Sequence, residues 1–448
     1  MGRADDATGT GFRPGLSTLL ALLIAVGSGA WFAHRLDDEP IFVDEAAFIS
    51  QAYFGDLLLS GRVESPLWLE YQAYDLPPLP KYLINLSLRV HGQARPRREW
   101  ALWWYEHTLE SRFVTPATLH AARLPSILMG VLGCVSVFSL GVTAGDRRIG
   151  FLAAAFLAIS PLYALHARRA MADVPAEALV LATAALGLAL VMKLRRGGLG
   201  AVRLLALSVA VGGLGGLAVL AKLNGGLGLL LIAAWMIFAG LAPSRQVSKG
   251  RFAVALASIG VTALLVFVAL NPFVTARPRS LGTVPLLDPK PPNQTIPERL
   301  WEVVEHRVAV SRIGQASFPR DALPTLSQKA AVLAVQGFGR FGPLGPRRSD
   351  STRRFDWSQD RGAIAWLPLV LGGFVAWPAI GFAQRRRGQP SAAWAIPLGF
   401  VVCVATVGAF LPLAWDRYLL PIQAMSGLMA AGAVVAVFDR LTRRGGPA

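Results

Sequence analysis

Ten runs of apolar residues, each close to the length that crosses a hydrocarbon core, alternate along this chain with short polar segments. They fall at roughly 14–34, 122–143, 149–165, 175–193, 203–221, 223–241, 252–271, 363–383, 392–413 and 419–438. Two long segments, about 35–121 and 272–362, interrupt the series. The pattern predicts an all-α integral membrane protein, a multi-span bundle of about 10–12 helices with interfacial helices in the long loops. It divides into a transmembrane module over 1–271 that includes the first long loop, a second long loop over 272–362, and further spans over 363–448.

Composition agrees with the pattern. The 448 residues are 54% hydrophobic and only 16% charged, where a soluble domain carries about a quarter charged, and the mean hydropathy is +0.47. A net charge of +17 raises the question of nucleic acid, but the basic residues lie in short clusters between apolar runs, the spacing of charged loops at a membrane surface. Neither nucleic-acid binding nor a disulfide framework is expected: the two cysteines, Cys134 and Cys403, both sit inside apolar runs. The first run lacks a small-residue cleavage site and reads as a span.

Charge bias sets the orientation. With the N-terminus cytoplasmic, the inner segments carry Arg147-Arg148, Lys193/Arg195/Arg196/Arg203, Arg245/Lys249/Arg251, Arg385-Arg386-Arg387 and Arg440/Arg443/Arg444. Both long loops then lie outside, and the protein is expected as a multi-pass component of the plasma or inner membrane. Three short outer turns run against the bias: His166-Ala167-Arg168-Arg169, Lys222, and Trp415-Asp416-Arg417-Tyr418. A cation at an outer turn opposes the topology, so a shared anion site is one reason for it; snorkelling and partner carboxylates are the others.

The first long loop has internal order. Apolar residues from Glu45 to Leu59 recur at helical spacing, Pro77, Pro78 and Pro80 predict an extended stretch, and Lys81 to Val90 resumes an amphipathic pattern. Trp100, Trp103, Trp104 and Tyr105 read as interfacial aromatics. In the second loop, the apolar stretches at 299–311 and 322–339 read as re-entrant or interfacial helices, and one or two further spans can hide there. Asn293-Gln294-Thr295 matches a glycosylation sequon. Gly212-Gly213-Leu214-Gly215-Gly216 lies inside a span and predicts close helix packing, not a phosphate loop.

The outer-face charges, Asp44, Glu45, Asp75, Lys81, Arg123, Arg168, Arg169, Asp173, Lys222 and Arg417, offer carboxylates to take a proton from a hydroxyl and cations to hold a phosphate. Ion pairs that satisfy helix ends are the alternative use of the same residues. No nucleophile elbow, HExxH, CxxC or nucleotide-binding glycine pattern is present.

The loop that starts at Asp44-Glu45 and contains Tyr74-Asp75-Leu76-Pro77-Pro78-Leu79-Pro80-Lys81 resembles that of the GT-C glycosyltransferases, specifically the protein O-mannosyltransferase-like family 39 with its bacterial aminoarabinose transferases. Ala122-Arg123-Leu124-Pro125-Ser126, the stretch from His166 to Pro175, Lys222-Leu223-Asn224-Gly225 and Arg417-Tyr418-Leu419-Leu420-Pro421 have counterparts in the same order. The resemblance implies an inverting transfer of a sugar from a polyprenyl-phosphate donor to a hydroxyl on a glycan, protein or glycolipid. It implies Asp44 as catalytic base with Glu45 beside it, and Asp173 as a second cavity acid. Lys81, Arg168, Lys222 and Arg417, with Tyr418, are then donor-phosphate contacts, and Asp75 and Arg123 belong to the acceptor side or the loop. Where many relatives carry histidine before the double proline, this chain has Leu76. A divalent metal shared by Asp44, Glu45 and Asp173 stays open, with no cofactor otherwise implied. The rival readings are a transporter or flippase for a lipid-linked anion and a non-catalytic membrane scaffold.

Overall fold

A computed structural model describes residues 15–107, 113–197, 199–241, 249–281, 285–340, 343–344, 365–388 and 390–444. Arg245 and the end of the second long loop, both part of the sequence reading, lie outside these residues. All regular secondary structure among the described residues is helical, apart from one antiparallel bridge between Ala322 and Leu413.

Every apolar run of the sequence has its helix. Eight are long and apolar enough to span a membrane, so the chain is a multi-pass membrane protein. The run at 149–165 departs from the expected single span. It forms two helices, α8 (Arg147–Ile159) and α9 (Pro161–Ala167), bent by 68°. Pro161 causes the bend: it opens α9 at a position where its missing N–H costs nothing, and it holds Ser160 at φ −57°, ψ 119°, outside the helical region. The run at 392–413 contracts to α18 (Ala395–Phe410), whose 16 residues rise about 24 Å, short of a hydrocarbon core of about 30 Å. The described helices of the second long loop add no further span.

Two helices form the centre. In α10 (Asp173–Arg196) 78% of the apolar window is buried, and in the window that holds α19 (Leu420–Arg444) 83% is, against 17% for the first span, which contains α1 (Leu16–Ala33). Helix α7 (Pro116–Ala144) packs between α10, α8 and α1, while α17 (Trp366–Arg386) packs on α19. Close approach needs glycine where α11 (Ala201–Ala221) meets α13 (Lys249–Ala269): a Cβ at Gly212 or Gly216 would stand 2.6 Å from the carbonyl oxygen of Ile259 or Ala263. The glycine run is a packing device, as its place inside a span predicts.

The first long loop folds into a helical platform. The expected helix from Glu45 to Leu59 is split into α2 (Val43–Ser50) and α3 (Tyr53–Leu59) by a turn at Gln51-Ala52. The proline stretch also differs from expectation. Only Leu76 and Pro77 are extended; Pro78 and Pro80 belong to α5 (Pro78–Val90), in the first turn, where proline is tolerated. The Trp100–Trp104 aromatics lie on α6 (Arg98–Glu106). The second loop closes over this platform. Tyr71 N–H donates to Leu287 O at 2.8 Å, Lys290 N–H to Leu69 O at 2.8 Å, and the Tyr74 hydroxyl to Asp288 at 2.6 Å. In the sequon, the Thr295 hydroxyl caps α15 (Ile296–Ser317) and Glu298 returns a bond to the Thr295 amide, which gives the residue a structural task.

Candidate functional site

Asp44 and Glu45 are neighbours in the first turn of α2, yet the structure uses them differently. Successive helix positions point about 100° apart. Glu45 turns inward and is fully buried. Its Oε2 accepts from the Phe42 amide (2.9 Å) and Arg123 Nη2 (2.9 Å), and its Oε1 accepts from Arg123 Nε (2.9 Å) and the Ala170 amide (2.8 Å). Arg123, also fully buried, donates further to the carbonyls of Leu36, Glu39 and Pro40. This pair therefore ties three segments together: the end of α1, the start of α2 and the turn after α9.

Asp44 points away from that latch and pairs with Arg417. Its side chain keeps 29% of its surface exposed, against 0% for Glu45, so of the two carboxylates only Asp44 is open to a ligand. Beside it, Asp173 at the start of α10 accepts from Lys222 Nζ at 2.7 Å. The Tyr418 ring lies between the two cations, 5.7 Å from Lys222 Nζ and 5.7 Å from the Arg417 guanidinium. Two of the three anomalous basic turns thus meet at one place, Arg417 on the part-exposed Asp44 and Lys222 on the buried Asp173. Gly225 fixes the Lys222 turn, since a Cβ there would stand 2.0 Å from Ala218 O.

The other sequence candidates go elsewhere. Arg168 donates to the carbonyls of Phe32 and Trp31 at 3.1 and 2.9 Å, closing the C-terminal end of α1, where cations are favoured. Lys81 is fully buried, with its Nζ 2.5 Å from Gln72 O and 4.9 Å above the Phe54 ring. Burial pushes its ammonium down to about 7, against a smaller opposing pull from Asp75. Asp75 lies 3.3 Å from His306 Nε2 and 3.8 Å from Arg307, on the contact between the two long loops. Arg169 bridges Glu39 at 3.5 Å and covers the Phe42 ring, and His166 faces Asp416 at 3.6 Å.

A cavity opens between Asp173, Glu177, Asn224, Arg417, Leu420 and Pro421. Glu177 has no counterpart in the sequence reading. It is 4% exposed, one turn along α10 from Asp173, and makes no hydrogen bond or ion pair among the described residues. A carboxyl inside a span is itself a signal, and its i, i+4 spacing to Asp173 puts both on one helix face. Asp44, Glu45 and Asp173, the acids considered for a shared metal, do not come together as one ligand cluster among the described residues. Each carboxylate is held by a different cation, and among the described residues no group of three or more potential ligands converges.

No protein-family model and no curated protein matches the chain. Solved structures do. The oligosaccharyltransferase AglB of Archaeoglobus fulgidus, in complex with an inhibitory peptide and a dolichol-phosphate, matches at a TM-score of 0.54 and 14% identity over 96% of this chain and 52% of that one. Its apo form matches at 0.55 and 14% identity over 95% and 51%. This chain therefore spans about half the length of the archaeal structures. ArnT of Cupriavidus metallidurans, bound to undecaprenyl phosphate, is a weaker likeness, at a TM-score of 0.46 and 16% identity over 96% of this chain and 62% of that one. At such identities residue roles do not transfer, but the path of the helices does: this chain has the GT-C fold.

Proposed function

We propose that the protein is a membrane glycosyltransferase that moves a sugar, with inversion, from a polyprenyl-phosphate donor to an acceptor hydroxyl on the extracytoplasmic face. The observation that carries this reading is the Asp44–Arg417 pair standing next to the Asp173–Lys222 pair, with one member of each, Arg417 and Asp173, lining a small cavity. Two acids and two cations balance in the free protein. A donor phosphate arriving at Arg417 and Lys222 competes with the carboxylates for them, so donor binding loosens the hold on Asp44. Asp44 then takes the proton of the acceptor hydroxyl while the hydroxyl oxygen bonds to the anomeric carbon. The bond from that carbon to phosphate breaks, and the electron pair leaves on the lipid phosphate beside the cations.

Glu45 and Arg123 have a different role in this scheme. All their strong contacts are internal, so they position α2 and with it Asp44. No nucleotide-binding domain is needed, because the sugar arrives already activated on a membrane lipid.

The test is transfer of label from radiolabelled polyprenyl-phosphate sugars in proteoliposomes to hydroxyl acceptors of glycan, peptide and glycolipid classes. Asp44→Asn should abolish transfer while still binding farnesyl phosphate. Full transfer by that variant would remove Asp44 as the base. Lipid movement across the vesicle without any sugar transfer would support the flippase alternative instead.

A further inference from the structure

A third acid stands behind the two ion pairs of the site. Asp416 opens the turn Asp416–Leu419 that carries Arg417, and it is 4% exposed. Its Oδ1 accepts from the Arg417 amide at 2.6 Å, which fixes the backbone from which the guanidinium reaches Asp44. No lysine or arginine among the described residues pairs with Asp416; Arg169 acts on it from further off. The basic group that faces it is His166 near the end of α9, 1% exposed, with Nε2 3.6 Å from Oδ1. Neither ring nitrogen makes a hydrogen bond among the described residues.

Burying a carboxylate without a cation is costly, and the imidazole is placed to supply one by taking a proton. Asp173 lies within reach of the same charge. The remaining charges at this end of the elements packed on α9 are Arg123 on α7, Glu177 on α10, Arg417 itself, and Arg168 and Arg169 just past α9. Along α19, the stretch from Leu420 to Phe438 brings none. Arg123 is held by Glu45, Arg169 by Glu39 and Arg168 by two carbonyls. Asp416 is left to His166.

A donor phosphate shifts this balance. It draws Arg417 and Lys222 from Asp44 and Asp173, and it adds its own negative charge. An imidazole beside the added charge holds its proton more tightly. By linkage, the protonated protein then binds the phosphate more tightly.

We propose, on the transferase reading above, that His166 is a positioning residue: as an imidazolium it holds Asp416, and through Asp416 the turn that aims Arg417 at the donor phosphate. Its contribution to donor binding is complete at low pH and fades as the pH rises and the ring loses its charge.

The experiment measures binding of methyl farnesyl phosphate to the full chain in nanodiscs between about pH 5 and 8, where histidine changes charge. This phosphodiester resembles the donor linkage and keeps one charge throughout. Wild type should weaken across the range by about 5- to 150-fold, the usual size of a coupling between two sites. His166→Gln keeps a hydrogen-bonding side chain that cannot take the charge, and should bind with a flat profile at the level wild type reaches at the high end. Asp416→Asn removes the partner and should also flatten the profile, which covers the case in which the glutamine variant fails to fold. The double variant should bind no more weakly than the weaker single one. A merely structural residue would lower affinity equally at every pH, so a wild-type slope retained in either variant overturns the role. A flat wild-type profile with the diester still bound refutes the positioning role alone. If wild type binds the diester at no pH, the transferase reading fails first and this proposal with it.

Discussion

Replacing Glu45 by glutamine separates positioning from chemistry at the adjacent acids. The substitution keeps the volume but removes the charge that answers Arg123, a guanidinium with no exposed surface. Removing one partner of a buried pair costs about 3–5 kcal/mol, mostly because the other charge stays buried. That energy is local, since the same carboxylate holds the Phe42 and Ala170 amides. Opening of this latch should become easier by about 10²- to 10⁴-fold, read by hydrogen exchange at the amides of 42–50 and 168–172. Sugar transfer should fall with it, in proportion to the open fraction. The double variant Glu45→Met/Arg123→Met removes both charges, yet the carbonyls of Leu36, Glu39 and Pro40 and the two amides lose their partners. It should recover only part of the protection. Unchanged exchange in Glu45→Gln together with lost transfer would refute the reasoning and return Glu45 to the chemistry.

Three further outcomes are expected. Arg417→Ala should raise the KM for donor by about 10- to 150-fold, the equivalent of 1.5–3 kcal/mol for a charged hydrogen bond; unchanged donor dependence would count against a phosphate role. Lys81 titrates near 7 when folded, against about 10.5 unfolded. Between those values the unfolded chain holds a proton that the folded one has released, so stability should rise with pH from about 7 toward 10.5; thermal melts of Lys81→Met should lose that part of the slope. Gly225→Ala should push the Lys222 turn off the Ala218 backbone, lowering both melting temperature and donor affinity; a variant with wild-type binding would show that the turn tolerates the displacement.

The spans were legible because a helix in lipid must be apolar over a fixed length, and the ten runs all became helical, eight of the resulting helices long enough to span and one run broken at Pro161. The out-of-place cations were equally readable: Lys222 and Arg417 stand against the charge bias, and both sit on carboxylates. What the string of residues does not encode is direction. Asp44 and Glu45 are adjacent and chemically alike, and only the turn of α2 sends one into Arg123 and the other toward Arg417. Arg168 looks like a third phosphate cation, but the bend at Pro161 delivers it to the carbonyl end of α1. Lys81 follows the proline run as the resemblance expects, then buries its amine against Gln72 and Phe54. Tyr74 meets Asp288 across 214 residues of sequence, a pairing no local pattern announces. Glu177 was visible as a charge in an apolar helix, and its spacing to Asp173 was the clue.

The enclosure of α19 bears on how the protein is made. Arg417 belongs to the final described span, and its partner Asp44 follows the first. A ribosome delivers the acid early and its cation 373 positions later. Until that helix is seated among α7, α8, α10 and α17, the nascent chain carries Asp44 without its cation and a groove where the helix belongs. The ion pair that holds Asp44 therefore forms only once the helix carrying Arg417 is in place.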